Sequence, residues 1–393
     1  MRTSDRRQLA LGLQDARQRT LTLLDAYARQ LPLLQVRQDT ELNPPLWELG
    51  HLAWFEEYWI ARNPQRLKGQ AAQAEVARAA SILNRSDGLY NSSQVAHSTR
   101  WKLDLPSLPN TLQYARQARE RTLELLSTSD QDDASLYFYR LALFHEDMHA
   151  EAWVYMAQNL GLTVPCAPIR SIAGASDISV PAGQHSLGTS GPGFYFDNEA
   201  QAQPIEVAEF AIDSELVSWA RYLPFIEEGA YKNEQWWSID GWHWAQTHAK
   251  AGHSAPRYLR KDGSQWQCQR MGHWRPLNLA EPAIHLSYYE AQAWCRWAGR
   301  RLPTEAEWEY IAAQDHADFK WGDVWEWTAS PFAPYQGFEP HPYRDYSMPW
   351  FDGRPVLRGA SFASAPRMKH LRYRNYFPAA RNDIFAGFRS CAR

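Results

Sequence analysis

Two histidines of this chain stand four residues apart in an apolar stretch, FHEDMHAE, that contains His145 and His149. The apolar pattern predicts a helix over Leu136–Leu160. Residues i and i+4 share one face of a helix, so both imidazoles can reach the same cation. The pattern HExxH is also found in zinc proteases, where the intervening acid, here Glu146, is the base. Spacing alone leaves open a metal site, a zinc hydrolase and a purely structural pair of histidines.

A third imidazole for the same metal is His51, in a second apolar helical segment, WELGHLAWF. His51 lies on the side of that helix that carries Trp47, Trp54 and Phe55, and the helices of a bundle can bring such groups together. Three neutral imidazoles leave further positions of a metal open, which suits Fe(II) with oxygen as well as zinc with water. His97 is a rival ligand, but its polar surroundings favour a surface histidine.

The segments that must position these histidines are helical. Apolar residues recur at helical intervals from about residue 5 to 165, which predicts a helical bundle. Ile82–Asn110 is rich in Asn, Ser, Asp and Pro, and predicts a long crossover loop that we expect to cover the site. After Gly161 the pattern changes to Pro and Gly with short alternating runs such as IEVAEF, which predicts short strands. We expect two domains, residues 1–168 and 169–393.

The second domain contains two segments with clear helix signals. The first is Ser287–Ala298, which begins with a plausible N-cap, has Glu290 at the capping-box position and is followed by Gly299. The second begins after Thr304, where Glu307 again has the capping-box spacing. We expect the remainder of this domain to consist of loops and short strands.

Charge and cysteine content limit the classes of partner. Forty-one basic and 44 acidic residues give a net charge of −3, which offers no broad attraction for nucleic acid or a membrane surface, so a small-molecule substrate is expected. Four separated cysteines without a CxxC pair fit a reducing compartment. No stretch approaches the roughly 20 apolar residues of a membrane span, and the first residues do not resemble a signal peptide. We therefore expect a cytoplasmic protein.

Five motifs follow one another in the second half of the chain: SYYEA from Ser287, RRLPTEAEWEY from Arg300, GDVWEWT from Gly322, LRGASF from Leu357 and AGFR from Ala386. With the two histidine helices, they resemble the ergothioneine and ovothiol sulfoxide synthases (EgtB and OvoA), which are non-haem iron enzymes, over nearly the whole chain. The resemblance implies an α+β protein. An N-terminal DinB-like four-helix bundle would precede a formylglycine-generating-enzyme-like domain of the C-type-lectin kind.

The same resemblance implies an O2-dependent enzyme that joins the imidazole of hercynine to a chalcogen donor. His51, His145 and His149 would hold Fe(II), and Glu146 would support the site rather than act as a protease base. Histidine ligands leave net positive charge on the metal, which favours a thiolate or selenolate ligand.

The catalytic tyrosine of the family corresponds to Tyr343, with Tyr346 as its neighbour. A phenol can give a proton, or a proton and an electron, to the reacting oxygen. The bare sequence does not show which tyrosine of this stretch, Tyr335 included, faces the metal.

The substrate-binding stretch of the family corresponds to RNYFPAAR near the C-terminus, where Asn375 and Tyr376 would grip the betaine. Phe377 stands where the mycobacterial-type enzymes have an Asp that, with the residue matching Arg381, holds γ-glutamylcysteine. Met148 stands where those enzymes have Gln. A cationic amino group would lose its partner, so we expect another donor. The sequence is most similar to the selenoneine synthase branch (SenA), which uses a selenosugar.

Other functions remain as alternatives. An ergothioneine-type synthase would couple cysteine or γ-glutamylcysteine through sulfur, and a zinc hydrolase would work without oxygen. A lectin-like binding module would show no metal dependence. Formylglycine-generating chemistry needs a cysteine pair, but here GFR is followed by Ser390 and Cys391 is alone.

Overall fold

The computed structural model describes residues 1–172 and 174–393. Its N-terminal part contains five helices: α1 (Arg6–Gln30), α2 (Pro45–Glu56), α3 (Ser86–Tyr90), α4 (Leu108–Ser127) and α5 (Asp133–Leu160). The four long helices form the expected bundle, in which α1 packs along α5 and α2 along α4. Among the residues described, no helix is long and apolar enough to cross a membrane.

The C-terminal part combines short strands with four helices, which confirms the α+β class. The helices are α6 (Trp219–Glu227), α7 (Ile239–Lys250), α8 (Tyr288–Trp297) and α9 (Glu305–Ala313). The strands are β1 (Asp177–Val180), β2 (Gly183–Leu187), β3 (Gln203–Val207), β4 (Phe210–Asp213), β5 (Leu259–Asp262), β6 (Gln265–Arg270), β7 (His273–Pro276), β8 (Arg300–Arg301), β9 (Trp325–Pro331), β10 (Pro355–Arg358), β11 (Asn375–Tyr376), β12 (Ala386–Gly387) and β13 (Cys391–Ala392).

These strands form several small sheets. Two sheets have four strands, in the orders β1-β4-β13-β8 and β11-β10-β9-β12, while β2-β3 and β5-β6-β7 form smaller antiparallel sheets. Only the pairing of β12 with β9 is parallel among the strand pairs of the described chain. The alternating run IEVAEF spans the end of β3 and the start of β4. The expected boundary at 168/169 falls between the end of α5 and the start of β1.

Two of the four C-terminal helices begin where the sequence predicted. Ser287 caps α8 and Thr304 caps α9, and each forms a complete capping box with Glu290 or Glu307. The sequence pattern did not predict α6 and α7. Helix α6 contains Pro224, which normally argues against a helix interior, and α7 is rich in Trp and His without a clean apolar period. Their helical state is supported by tertiary packing rather than by local propensity.

Helix α5 joins the two halves of the molecule. Glu151, near its C-terminal end, accepts hydrogen bonds from Trp325 Nε1 at 2.7 Å, Ser361 Oγ at 2.6 Å and Ser364 Oγ at 2.6 Å. All three donors belong to the C-terminal domain, and Glu151 is buried. A buried carboxylate with three donors is a strong polar contact, since hydrogen bonds to charged groups exceed neutral ones in strength.

We expect Glu151→Gln to lower the free energy of unfolding by about 1–3 kcal/mol, because a neutral amide replaces a charged acceptor. The amide NH2 group would also face donors that now bond to the carboxylate. Thermal unfolding of the metal-free protein measures this effect. Glu120→Gln is the control, because Glu120 is an exposed residue of α4 whose ion pair, within the described part of the chain, is with Arg116 alone. Equal melting temperatures for the two variants would contradict the prediction.

Candidate active site

Three imidazoles meet where α2 approaches α5. One ligand atom each from His51, His145 and His149 lies within 4.8 Å of the other two. The ring centroids are 5.1 Å apart for His51 and His145, 5.0 Å for His51 and His149, and 4.5 Å for His145 and His149. His51 and His145 are buried, while the His149 side chain is 22% exposed. The residues predicted as metal ligands are therefore brought together, with a solvent-facing side at His149.

The outer nitrogens of two of these rings are held by neighbouring groups. His51 Nδ1 lies 2.8 Å from the carbonyl oxygen of Tyr90, and His149 Nδ1 lies 2.6 Å from Glu48 Oε2. The other Glu48 oxygen accepts from Asn43 Nδ2 at 2.6 Å. With Nδ1–H donating in both histidines, each Nε2 keeps a free lone pair for a metal, and the ring orientation is fixed.

The close approach of Tyr90 to α2 requires a glycine. A Cβ atom at Gly50 would lie 2.2 Å from the Tyr90 ring, well inside van der Waals contact. Gly50 directly precedes His51, so its lack of a side chain allows the Tyr90 backbone to reach the imidazole. A glycine inside a helix normally costs about 1 kcal/mol relative to alanine, and here this packing explains its presence.

Burial keeps the imidazoles of His51 and His145 neutral. Burial, followed by the neighbouring His149, lowers the pKa of His51 to about 3. Burial and the other two imidazoles hold the pKa of His145 well below its ordinary value. Burial acts to raise the pKa of Glu48, but the hydrogen bond and charge of His149, together with His51 and Arg100, outweigh it and lower the pKa of this carboxyl. Neutral imidazole is the form that binds a metal.

Aromatic rings hold the histidines in place. Trp47 stacks on His51 with centroids 4.8 Å apart and planes at 9°. Phe55 stacks on His145 at 3.5 Å and 2°. Both aromatic residues come from α2, so this helix supplies one imidazole and the apolar wall against which the others rest. Such a wall limits water access on this side.

The acids beside the two α5 histidines face away from the metal site. Glu146 is buried and bonded to Arg17 and Arg119, and Asp147 forms a two-pronged pair with Arg367 at 2.6 and 2.8 Å. Burial would raise the pKa of Glu146, but the two arginines overcome it and lower the pKa to about 2. A carboxylate held in this way cannot serve as the base of a zinc hydrolase, so the HExxH pattern has another meaning here.

The histidines open into a cavity of about 650 Å³ between the two domains. Side chains from both domains line it, including His145, His149 and, from the C-terminal domain, Trp325, Tyr343 and Tyr373. Neither domain alone encloses this volume. A cavity of this size suits a small-molecule substrate.

Among the predicted tyrosines, Tyr343 lies beside the triad. Its ring packs edge-on against Phe55 at 4.9 Å and lies 6.2 Å from His145 between centroids. Tyr346 lies farther along the cavity, where its hydroxyl donates to that of Tyr373 at 3.2 Å. Burial raises the pKa of Tyr343, so its phenol is protonated at neutral pH. Tyr335 is buried against Glu305, outside the cavity lining.

The predicted substrate residues line the cavity, with one exception. Met148, Asn375, Tyr376 and Phe377 are part of its wall, and Met148 Sδ accepts from the Tyr373 hydroxyl at 3.2 Å. Arg381 lies beside the cavity rather than in its lining, because its guanidinium pairs with Asp383 at 2.5 and 2.8 Å.

The crossover segment between α2 and α4 forms another wall, as expected. His97 is half-buried there and its Nε2 lies 2.9 Å from the carbonyl oxygen of Leu42, so it is not the surface residue that its polar neighbours indicated. Arg100 stacks on Trp47 at 3.9 Å and donates to Asn43 at 2.8 Å. Its Nε atom has no partner among the described residues. Arg100 thus places a positive charge at the cavity.

Sequence reasoning missed Glu48, Arg100 and Tyr373. Glu48 had a usable signal, because it is an isolated acid in an apolar helix, three residues before His51. Histidine ligands commonly donate to such a carboxylate. The contacts of Arg100 and Tyr373 join segments distant in sequence, and no local pattern indicates them.

Comparison with known proteins agrees with this two-domain arrangement. Residues 13–158 match the family model of the DinB superfamily. Residues 168–324 and 317–393 match the sulfatase-modifying factor enzyme 1-like domain. The formylglycine-generating enzyme of Mus musculus is 32% identical over 165 residues, which cover 39% of this chain and 44% of that protein.

Relatives that match both domains include hercynine oxygenases. Hercynine oxygenase of Mycolicibacterium smegmatis is 32% identical over 411 residues, covering 88% of this chain and 90% of its own. Hercynine oxygenase of Mycobacterium tuberculosis is 32% identical over 404 residues, covering 89% and 91%. The chain therefore belongs to the EgtB- and OvoA-like sulfoxide synthase family, an oxygenase family that includes the hercynine oxygenases.

Proposed function

We propose that this enzyme uses Fe(II) and O2 to form a carbon–selenium bond between the imidazole of hercynine and a selenosugar. The observation that carries the oxygenase assignment is the three-histidine cluster at the base of a cavity built by both domains. Hercynine is taken from the names of the two full-length relatives. We place this activity in the cytoplasm, where the four cysteines would stay reduced.

The donor set fits Fe(II). Three neutral imidazoles, two of them with the outer nitrogen already bonded to Tyr90 or Glu48, match the ligand preference of this ion. Bound iron would supply the activation of O2. Neutral ligands also leave the charge of the ion uncompensated, which favours a selenolate or thiolate from the second substrate.

The cavity walls suit a betaine. The aromatic faces of Tyr376 and Phe377 can contact a trimethylammonium group, as in other quaternary ammonium sites. Arg100 is the only arginine or lysine in the described lining, and its positive charge suits a carboxylate or another oxygen acceptor. Hercynine carries both a trimethylammonium group and a carboxylate.

The acids of the wall support a second substrate without an amino group. Phe377 provides no carboxylate, and Glu151 is occupied by its three donors. Asp345, which is exposed and bonded to Ser93 through one oxygen, is the remaining acid of the described lining. The free amino group of γ-glutamylcysteine would therefore have no counter-ion at position 377. A sugar needs none, because it can stack on an aromatic face such as that of Trp350 and exchange hydrogen bonds with Ser92.

Anaerobic loading with Fe(II), followed by O2 and hercynine, tests this function. The second substrate is a 1-seleno-sugar, cysteine or γ-glutamylcysteine in parallel reactions, with products identified by mass spectrometry. We expect a carbon–selenium adduct from the selenosugar and none from His149→Ala. Phe377→Asp is expected to increase coupling of γ-glutamylcysteine by restoring a carboxylate. Efficient coupling of either thiol by the unmodified enzyme would contradict the selenosugar assignment and indicate an ergothioneine-type synthase.

Glu48→Gln is expected to weaken Fe(II) binding by about 10–100-fold, because the charged acceptor that orients His149 is lost. The matched control is Glu57→Gln, since Glu57 is equally buried but accepts from Ser81 and Tyr114. Competition with a coloured chelator measures the affinity. Equal affinity of both variants for Fe(II) would exclude the assigned role of Glu48.

Tyr343→Phe is expected to slow coupling by about 10²–10⁴-fold, the range for loss of a general acid, while Fe(II) affinity stays unchanged. Tyr346→Phe serves as the control, because that hydroxyl is already bonded to Tyr373, and should retain most activity. Single-turnover rates after mixing with O2 separate the two variants. A larger loss of coupling rate in Tyr346→Phe than in Tyr343→Phe would identify Tyr346 as the proton donor.

A further inference from the structure

Two arginines and two glutamates form a buried cluster at the centre of the helical bundle. Each of the four long helices contributes one residue: Arg17 from α1, Glu56 from α2, Arg119 from α4 and Glu146 from α5. Their residues are 7%, 2%, 6% and 3% exposed, respectively. The formal charges of this ion cluster sum to zero.

Every carboxylate oxygen of the ion cluster has a partner. Arg17 bonds Glu146 at 2.7 Å through Nε and Glu56 at 2.9 Å through Nη2. Arg119 bonds Glu56 at 2.6 Å through Nε and Glu146 at 2.6 Å through Nη2. Each guanidinium therefore bridges α2 to α5. The remaining Nη1 groups donate to backbone carbonyls of Ala115 and Leu13.

The bridged helices are the two that carry the metal-binding histidines. Glu146 directly follows His145, and Glu56 directly follows Phe55. The residues before the two acids are in turn stacked on each other at 3.5 Å. The ion cluster and the Phe55–His145 stack thus hold the same turn of α2 against the same turn of α5 at adjacent positions.

A contribution to stability alone does not account for this arrangement. Replacing a buried ion cluster by apolar residues of similar volume is often neutral or stabilising, because desolvation offsets the Coulomb attraction. Apolar side chains can pack in several registers, whereas forked guanidinium contacts accept only one relative position of the two carboxylates. The distinct effect of the ion cluster is therefore on helix register.

We propose that Arg17, Glu56, Arg119 and Glu146 are positioning residues that set the register of α2 against α5, and with it the separation of His51 from His145 and His149. This inference rests on the proposed metal-dependent function. In this role the glutamate of the HExxH pattern positions the histidines and takes no part in proton transfer.

The main test is a quadruple variant with apolar side chains, R17M/E56L/R119M/E146L. Co(II) is the probe, because its visible bands report coordination geometry and it avoids reaction with O2. We expect a folded, cooperatively melting protein whose Co(II) dissociation constant is at least tenfold higher than that of the unmodified chain, with altered band positions. Unchanged affinity together with an unchanged spectrum would overturn the inference.

A second variant covers the case in which the quadruple variant does not fold. Arg119→Lys keeps the charge but loses the fork that bridges both acids. We expect weaker Co(II) binding with an unaltered circular dichroism spectrum. The matched control, Arg116→Lys, changes an exposed arginine of the same helix that pairs with Glu120, and should bind Co(II) like the unmodified chain. Equal affinity of the two lysine variants would refute the positioning role.

The unmodified chain and His149→Ala separate this inference from the proposed function. If the unmodified chain binds Co(II) and His149→Ala does not, the metal site stands and the ion-cluster variants decide the positioning role. If the unmodified chain does not bind Co(II) at the histidines, the proposed function fails, and the positioning role falls with it.

Discussion

The helical repeat of α5 is the constraint on which the rest of the structure depends. Within two turns of α5, side chains point in three directions and contact three different parts of the molecule. His145 and His149 face the cavity, Glu146 faces the interior of the bundle, and Asp147 and Glu151 face the C-terminal domain. Because 3.6 residues complete one turn, one helix can contribute to the histidine triad, the buried ion cluster and the domain interface. A change in the register of α5 would disturb all of them.

The C-terminal domain supplies the part of the cavity wall that the helical bundle lacks. The bundle provides three imidazoles and an apolar wall, but Tyr343, Tyr373 and the aromatic rings of Tyr376 and Phe377 come from the C-terminal domain. The contacts of Glu151 with Trp325 and Ser361 fix these groups relative to the histidines. This arrangement explains why motifs such as GDVWEWT and LRGASF occur in the same chain as the histidine helices. They form the surface against which α5 docks.

Local patterns predicted local features well. The i,i+4 spacing placed His145 and His149 on one face, and capping-box spacing located the starts of α8 and α9. His51 could be predicted from the sequence because it lies on the aromatic side of its helix. Features that depend on contacts between distant segments could not be predicted from the sequence. Examples are the stacking of Arg100 on Trp47 and the tertiary packing that keeps α6 helical despite its internal proline.

The central claim is that the three histidines hold Fe(II) in a site open to the interdomain cavity. Anomalous diffraction at the iron absorption edge, from crystals of anaerobically loaded protein, tests it most directly. The account predicts one strong iron peak bonded to Nε2 of His51 and His149 and to the His145 ring, with its open side toward Tyr343. A peak elsewhere in the molecule, or iron bonded to fewer than three of these histidines, would contradict it.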